Sequence, residues 1–433
     1  MGNSYSLWKV ITIPHLEQIS DNKYLSAIRQ TFYVLMPFWL TLSFFDILGN
    51  LFLNPTGILF SKDGLNLGFW LTEGLTGEDY LQNSIVQILL AYKKIIGAIY
   101  GIIAFILTTI LSGKLAEIWK SEKNSTQLCS IITLLLISTL TNPTSTDAMN
   151  YFSEVNLSSA FFVAFATSKL FAWLYSIKKL NWKSKLLPKN LANYILVTPQ
   201  ILLTVLIFSI FTLLLSFAKV YSENFLMSLS DVSMFQNPFV VICYEFLVWS
   251  LWWLGIPGYS LTSSIQEYVY MPAQISNQIG DTAAVFTTGF FEAEIIHVLG
   301  LMIAILVFSR HEQWRGISKI TLPLMAFNVQ EIFVFGLPVV LNPIFLVPYI
   351  FAPIANTFVG WVAISWGIVP PFQSSIPWTM PLFFGAAIST HSIMGGVLQI
   401  VWLVMDIFIY APFVITANAI EFDDEKKAVK NFE

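Results

Sequence analysis

Long apolar runs alternate with short polar segments along the whole chain. A bilayer core of about 30 Å needs about 20 helical residues to cross it. Two runs broken by Gly and Pro, at 320–338 and 376–390, are ambiguous. Nine clearer runs lie at 31–53, 95–113, 127–141, 157–176, 195–218, 237–256, 283–309, 339–364 and 394–416. The pattern predicts an all-α polytopic membrane protein.

Composition supports the same class. Apolar and aromatic residues (AVILMFWYC) make up 56% of the 433 residues and charged residues only 11%, against about 25% charged in an average soluble domain. A net charge of −4 without a dense basic patch argues against nucleic-acid binding. Cys129 and Cys243 have no metal or redox spacing, so we expect neither a metal nor a cofactor.

Basic residues indicate the orientation of the chain. Seventeen of the 22 Lys and Arg residues fall in five groups, at 9–29, 114–123, 178–189, 310–319 and 426–430. Loops on the cytoplasmic side carry an excess of Lys and Arg. We therefore predict a bacterial cytoplasmic-membrane protein with all five groups and both termini in the cytoplasm.

Parity then requires an irregular segment. Three apolar runs separate Lys189 from Arg310, but two cytoplasmic groups must be separated by an even number of crossings. Gly255-Ile256-Pro257-Gly258 is one candidate for a break, and 320–345, with three prolines, is another. Irregular backbone at membrane depth is tolerated where it lines a cavity or is covered by protein. The breaks favour a substrate cavity; Pro kinks in packed helices are the alternative.

One carboxylate, Glu331, lies within the ambiguous run 320–338 and so near such a break. Asn328 and Gln330 flank it, and a run broken by Gly and Pro follows. Converging acceptors, amides and freed backbone donors could hold a polar ligand. The alternative is a helix-start residue at the cytoplasmic boundary, because Lys319 is close in sequence.

Other polar and aromatic residues in or beside the apolar runs could have a functional or a structural role. Glu294 and His297 are three residues apart and share a helical face, whereas Glu292 points elsewhere. The pair could relay protons, or it could be inert near the outer mouth of the protein. His391, between two apolar runs, is either a ligand residue or a loop histidine. Trp378 adjoins a proline break and offers a flat ring to a sugar.

No nucleotide-binding or hydrolase motif occurs. The sequence has no Walker A loop, Rossmann glycine fingerprint, His-Glu-x-x-His or Gly-x-Ser-x-Gly. These absences argue against an ATP-driven pump. Uphill transport would draw on an ion gradient or on a partner protein.

Several segments resemble one family of membrane proteins. Residues 327–331, Phe-Asn-Val-Gln-Glu, precede a stretch at 335–343 that reads Phe-Gly-Leu-Pro-Val-Val-Leu-Asn-Pro. This pair resembles the signature of the enzyme IIC component of the phosphoenolpyruvate-dependent phosphotransferase system, lactose/cellobiose/diacetylchitobiose branch. Residues 22–37, the Pro-Trp-Thr-Met-Pro at 377–381 and the last span at 406–413 are similar to further family motifs.

The resemblance implies a homodimeric permease with about ten transmembrane helices and two re-entrant hairpins. It implies an N-terminal scaffold and dimerisation half at 1–220, an amphipathic linker at 221–236, a substrate half at 237–420 and a cytoplasmic tail at 421–433. Glu331 would be the acidic sugar-binding residue, which also acts in phosphoryl transfer. A separate soluble IIB component, phosphorylated on cysteine, would donate the phosphoryl group. The remaining residues expected near the sugar are Asn328, Gln330, Pro257, Gly258, Trp378, Thr379, His391 and Glu294.

Three departures from the family pattern bear on the chemistry. Pro257 stands where the family carries a histidine next to the sugar hydroxyl, and proline cannot move a proton. Glu292 and Glu294 lie where small residues are expected. Gln330 replaces an Asn beside Glu331, and Ile332 replaces a Pro.

These observations leave three functions open. The leading interpretation is a phosphotransferase-type permease for an oligosaccharide or glycoside. The alternatives are a transporter on the same scaffold that no longer phosphorylates, by facilitated or proton-coupled uptake, and a sensor that binds sugar without transporting it.

Overall fold

The fold is all-helical in every part of the chain that the structure describes. The structure is a computed structural model, and it describes residues 22–55, 57, 59–60, 66–141, 157–177, 196–228, 234–254, 258–337, 339–340, 342–376 and 379–430. No strand occurs among these residues. The predicted all-α class is therefore confirmed for the described part of the chain.

The described residues fall into two compact units. The first unit takes its residues from Met1–Phe38 and Leu53–Asn224. The second takes its residues from Trp39–Phe52 and Phe225–Glu433. Helix α1 (Lys23–Ile47) begins in the first unit and ends in the second, where a π-helical turn, Leu48–Phe52, follows it.

The remaining helices of the first unit are α2 Leu67–Leu71, α3 Gly77–Gln82, α4 Ser84–Trp119, α5 Lys123–Thr141, α6 Leu157–Ser176 and α7 Thr198–Ser228. They include four long ones, α4 to α7. Helices α4, α5 and α6 pack against one another. Small residues allow this close packing, because Ala104, Ala160 and Ala164 are fully buried. Hydroxyl groups join the helices as well: Ser130 Oγ donates to Thr167 Oγ1 at 3.1 Å. Small and hydroxylated residues are typical of helix contacts in membranes.

The second unit contains several short helices as well as long ones. The bounds are α8 Pro238–Trp253, α9 Gly258–Leu261, α10 Ser263–Ile265, α11 Met271–Gln278, α12 Thr288–Glu294, α13 His297–Phe308, α14 Glu312–Met325, α15 Glu331–Gly336, α16 Pro343–Ser365, α17 Phe384–Ser389 and α18 Ile393–Lys430. A 3₁₀ turn, Met234–Gln236, precedes α8, and a π-helical turn, Gln266–Tyr270, precedes α11.

Helix α18 organises the core of the second unit. It packs against α13, α16 and α17, and α16 also packs against α8. Large aromatic side chains fill these contacts. The rings of Trp402 and Phe290 lie 5.7 Å apart, and those of Trp249 and Tyr349 also lie 5.7 Å apart. All four side chains are fully buried, so edge-to-face packing supplies much of the helix association.

Four helical segments are long and apolar enough to cross a membrane. They are Ile102–Trp119, Thr288–Phe308, Ile344–Ser365 and Ile393–Asn418, found among the described residues. Each coincides with a predicted apolar run. Shorter apolar helices lie at Thr198–Leu214 and Pro238–Trp253. The described residues therefore form an all-helical fold with helices suited to a membrane, while the number of about ten spans stays a prediction.

The segments predicted as linker and tail have helical parts. Within 221–236, residues 221–228 continue α7 and 234–236 form the 3₁₀ turn, while 229–233 lie outside the described residues. Within 421–433, residues 421–430 continue α18, and 431–433 lie outside the described residues.

Candidate functional site

A cavity in the second unit lies where three interruptions of the helical backbone meet. The first separates α12 from α13, the second separates α14 from α15, and the third is the irregular segment between α16 and α17. The cavity volume is about 10 Å³, room for about one water molecule. We call it the second-unit cavity. It is lined by Glu292, Ile296, Leu299, Met325, Asn328, Ile376, Met380, Leu382 and Gln399.

The first interruption falls inside a predicted apolar run. Helix α12 ends at Glu294 and α13 begins at His297. The side chain of Gln399, on α18, holds this break: Nε2 donates to the carbonyl of Ala293 at 2.8 Å, and Oε1 accepts from the N–H of Ala386 at 3.2 Å. Both are helix-end groups, which lack a partner within their own helix. One amide therefore satisfies the ends of α12 and α17 at the wall of the cavity.

The second interruption depends on Asn328. Its φ of 61° is left-handed, a conformation that Asn adopts more readily than most residues. Its N–H donates to the carbonyl of Met325 at 3.0 Å and closes the end of α14. Gln330 is buried, and its Oε1 has no hydrogen-bond partner among the described residues. Glu331 begins α15, and its side chain lies outside the described part of the structure.

The third interruption brings Ile376 and Met380, which flank residues 377–379, to the cavity. The N–H of Ile376 donates to Glu292 Oε2 at 3.0 Å and ties this segment to α12. Thr379 is fully buried, and its hydroxyl has no hydrogen-bond partner among the described residues. Met380 lines the cavity. Pro377 and Trp378 lie outside the described residues.

Five predicted binding residues are not among those that line the cavity: Gln330, Thr379, Glu294, Gly258 and His391. Gly258 begins the short helix α9 and packs so closely on the backbone of Val248 that a Cβ atom would collide with it. His391 is exposed in a left-handed turn, with φ of 49°, between α17 and α18. Pro257 lies outside the described residues.

Glu294 and His297 are fully buried, but the break between α12 and α13 separates them. His297 Nδ1 lies 2.9 Å from the hydroxyl of Tyr410. Neither carboxyl oxygen of Glu294 makes a hydrogen bond to another described residue. Two more buried carboxyl groups, Glu245 and Asp406, lie close enough to interact with Glu294 electrostatically. Proton transfer by the Glu–His pair stays a prediction, without a direct contact between the two side chains.

Two polar residues of the cavity wall, Gln399 and Glu292, were not predicted from the sequence to belong to the site. Gln399 is a lone amide in an apolar span, and an isolated polar residue at such a depth is a recognised functional signal. Glu292 was predicted to point away from the site because continuous helical geometry was assumed through His297. The interruption at 295–296 invalidates that assumption, and Glu292 lines the cavity.

The cavity combines polar groups with an apolar wall. Asn328 and Glu292 supply an amide and a carboxylate, and Ile296, Leu299 and Met380 supply apolar surface. Such a lining suits a ligand that has both hydroxyl groups and an apolar face. No cluster of three or more His, Cys, Asp or Glu residues that could bind a metal occurs in the described ranges.

The fold and site therefore define a helical membrane protein with a polar cavity at interrupted helices. Residues 29–353 match the family model described as "Phosphotransferase system, EIIC". This match spans well over half of the chain, and the chain belongs to that family.

Several relatives carry more specific names. The chain is 33% identical over 194 residues to the oligo-beta-mannoside-specific EIIC component of Bacillus subtilis (strain 168), covering 42% of this chain and 44% of that protein. It is 27% identical over 218 residues to the cellobiose-specific EIIC component of Lactococcus lactis subsp. lactis (strain IL1403), covering 43% and 44%. The chain thus aligns with less than half the length of these curated relatives.

A solved structure is also similar. It is a crystal structure of the transporter ChbC, the IIC component from the N,N'-diacetylchitobiose-specific phosphotransferase system. The sequence identity is 20% and the TM-score 0.48, with 97% of this chain and 99% of that chain covered.

Proposed function

We propose that the chain is a sugar permease that binds an oligosaccharide or glycoside in the second-unit cavity and carries it across the bacterial cytoplasmic membrane. One observation carries this proposal. Two motifs far apart in sequence, at 327–331 and 377–381, both reach that cavity, through Asn328 and Met380. The names of the relatives, which specify oligo-beta-mannosides and cellobiose, support a sugar of the same class.

Each proposed binding residue has a distinct part in holding the sugar. Glu331 accepts hydrogen bonds from hydroxyl groups, while Asn328 and Gln330 donate and accept through their amides. The buried hydroxyl of Thr379 gains a partner when a sugar binds. Trp378 offers its ring to the apolar face of the sugar.

The size of the cavity bears on transport. A cavity of about 10 Å³ is far too small to hold a disaccharide. Entry therefore requires the broken segments to move. The three interruptions are suited to this, because residues between helices are free to absorb changes in backbone angles.

Phosphoryl transfer is the proposed source of energy. A soluble IIB component would donate a phosphoryl group from cysteine to a sugar hydroxyl: the S–P bond breaks, an O–P bond forms, and the hydroxyl proton passes to a base. Pro257 cannot be that base, so the role falls to Glu331. Since phosphoryl transfer depends mainly on position and charge stabilisation, one base in place is sufficient. Some relatives are named lactose-specific EIICB components, which supports partnership with a IIB component.

Phosphorylation in membrane vesicles tests this function. Vesicles containing the chain would receive phosphoenolpyruvate, the soluble phosphocarrier proteins, a purified IIB component and labelled cellobiose or mannobiose. We expect labelled sugar phosphate only when the chain and IIB are both present, and a strong reduction in the Glu331→Gln variant. No sugar phosphate from any β-linked disaccharide in the panel would overturn the coupling.

Uptake without phosphorylation is a second candidate function. The replacement of a histidine by Pro257 favours it, as do the fully buried Glu294 and His297 in an interrupted span. If sugar enters with protons, uptake should depend on a pH gradient when no IIB is present, and Glu294→Gln should remove that dependence. If uptake by wild type and by Glu294→Gln is equally independent of the pH gradient, proton coupling is refuted and facilitated diffusion is the remaining mode of uptake.

The same proposal includes an assembly and an orientation. We infer a homodimer formed through residues 1–220, with both termini in the cytoplasm. The five groups of Lys and Arg residues support the orientation. Labelling of single cysteines placed at the exposed positions 124 and 313 by an impermeant reagent should succeed only from the cytoplasmic side, and native mass spectrometry should report two copies.

A further inference from the structure

Glu292 is a charged residue that the family resemblance does not account for. It lies on α12, and it is the half-buried member of a helix whose neighbouring residues Phe291, Ala293 and Glu294 are almost completely buried. Its side chain lines the second-unit cavity. Glu292 is therefore the residue at the end of α12 whose side chain can contact a molecule in the cavity.

The carboxylate of Glu292 is held by one oxygen and free at the other. Oε2 accepts the N–H of Ile376 at 3.0 Å. Oε1 makes no hydrogen bond to any described residue, and it is not sealed within protein. The bond to Ile376 fixes the direction of the carboxylate, so the free oxygen occupies a defined position in the cavity.

Capping Ile376 does not by itself require a charge. A neutral Gln of the same length could accept the same N–H bond. A carboxylate within a membrane span is costly, and such residues usually serve a pathway or a partner. No Lys or Arg lines the cavity, and the described residues record no ion pair for Glu292. The charge at this position is therefore available to something that enters the cavity.

We propose that Glu292 is a second sugar-binding carboxylate, whose free oxygen accepts a hydrogen bond from one particular hydroxyl group and thereby selects the substrate. This inference rests on the proposed function, because it requires a sugar in the cavity. A site built to accept a hydroxyl donor rejects analogues that lack it. The chain should bind its sugar more tightly than the analogue in which that one hydroxyl is replaced by hydrogen.

Binding of sugars to the purified full chain in nanodiscs tests the inference. Titration calorimetry with cellobiose and mannobiose first identifies the disaccharide that binds, and its monodeoxy analogues are then titrated in turn. The variants are Glu292→Gln, which keeps the bond to Ile376, and Glu292→Ala, which removes it. Glu267→Gln, at an exposed position in the same unit, is the control for loss of one negative charge.

We expect Glu292→Ala to weaken binding of the parent sugar about 10- to 100-fold, because hydrogen bonds to charged groups are stronger than neutral ones. One monodeoxy analogue should bind wild type and Glu292→Ala equally well, since its missing hydroxyl and the missing carboxylate share one interaction. Glu292→Gln should weaken the parent sugar by a smaller factor with an unchanged unfolding temperature, and Glu267→Gln should match wild type.

Two different failures can be told apart. If wild type binds sugar and both Glu292 variants bind it and every analogue equally tightly, Glu292 has no part in recognition while the proposed function stands. If wild type binds none of the disaccharides, the proposed function and the inference both fall.

Discussion

The hydrogen bonds of Gln399 offer a quantitative test of how the cavity wall is held. We consider the substitution Gln399→Leu, which keeps a side chain of similar size in an apolar span. Gln399 is 4% exposed, and its amide bonds to the carbonyl of Ala293 and to the N–H of Ala386. Leucine leaves both backbone groups without their protein partner.

Each unsatisfied buried backbone group costs about 1–3 kcal/mol, so two of them predict a loss of about 2–6 kcal/mol. For a unit of this size that corresponds to a fall of roughly 4–24 °C in the unfolding temperature. Thermal unfolding in detergent, followed by tryptophan fluorescence, would measure it. Gln278→Leu, at an exposed position of α11 without a recorded side-chain hydrogen bond, is the matched control and should change little. Equal unfolding temperatures for the two variants would refute the role assigned to Gln399.

Three further predictions concern packing, binding and buried polar contacts. Gly289→Ala should lower the unfolding temperature, at a cost of about 1–3 kcal/mol, because its Cβ would lie 2.6 Å from the carbonyl oxygen of Ser374. The control Gly316→Ala, in the open middle of α14, should instead stabilise the protein by about 0.5–1 kcal/mol. The same effect from both variants would contradict the packing role of Gly289. Thr379→Val should leave stability unchanged but weaken sugar binding roughly 2- to 12-fold, the worth of one neutral hydrogen bond, and unchanged affinity in calorimetry would exclude Thr379 from the site. Asn356 donates a hydrogen bond to Asp406 at 3.1 Å, and both side chains are fully buried. Asn356→Leu removes this donor and should lower the unfolding temperature by an amount equivalent to about 1–3 kcal/mol. An unaltered unfolding temperature would show that this bond does not contribute to stability.

The helical class and two of the three interruptions could be predicted from sequence because their causes are local. Apolar runs of sufficient length indicate membrane helices whatever their neighbours are. Proline and glycine interrupt the helical hydrogen bonds of their own segment. Accordingly, α14 ends at Met325 and α15 begins at Glu331, within the stretch 320–345 expected to be broken, and several prolines lie in the irregular segment between α16 and α17.

The remaining interruption has a cause elsewhere in the chain. Residues 292–297 read Glu-Ala-Glu-Ile-Ile-His, without a proline or glycine to end a helix. The end of α12 is instead satisfied by Gln399, more than a hundred residues away. Local periodicity therefore assigned Glu294 and His297 to one helical face and turned Glu292 away from the site. Only the tertiary contact shows which of the three lines the cavity.

The central claim is that residues around position 331 bind a sugar in the second-unit cavity. The most direct measurement is calorimetric titration of the purified chain with β-linked disaccharides, for wild type, Glu331→Gln and the exposed control Glu312→Gln, with unfolding temperatures recorded for each. We predict saturable binding to wild type and to Glu312→Gln, and a loss of binding in Glu331→Gln without a loss of fold. Undiminished sugar binding by folded Glu331→Gln would contradict the claim.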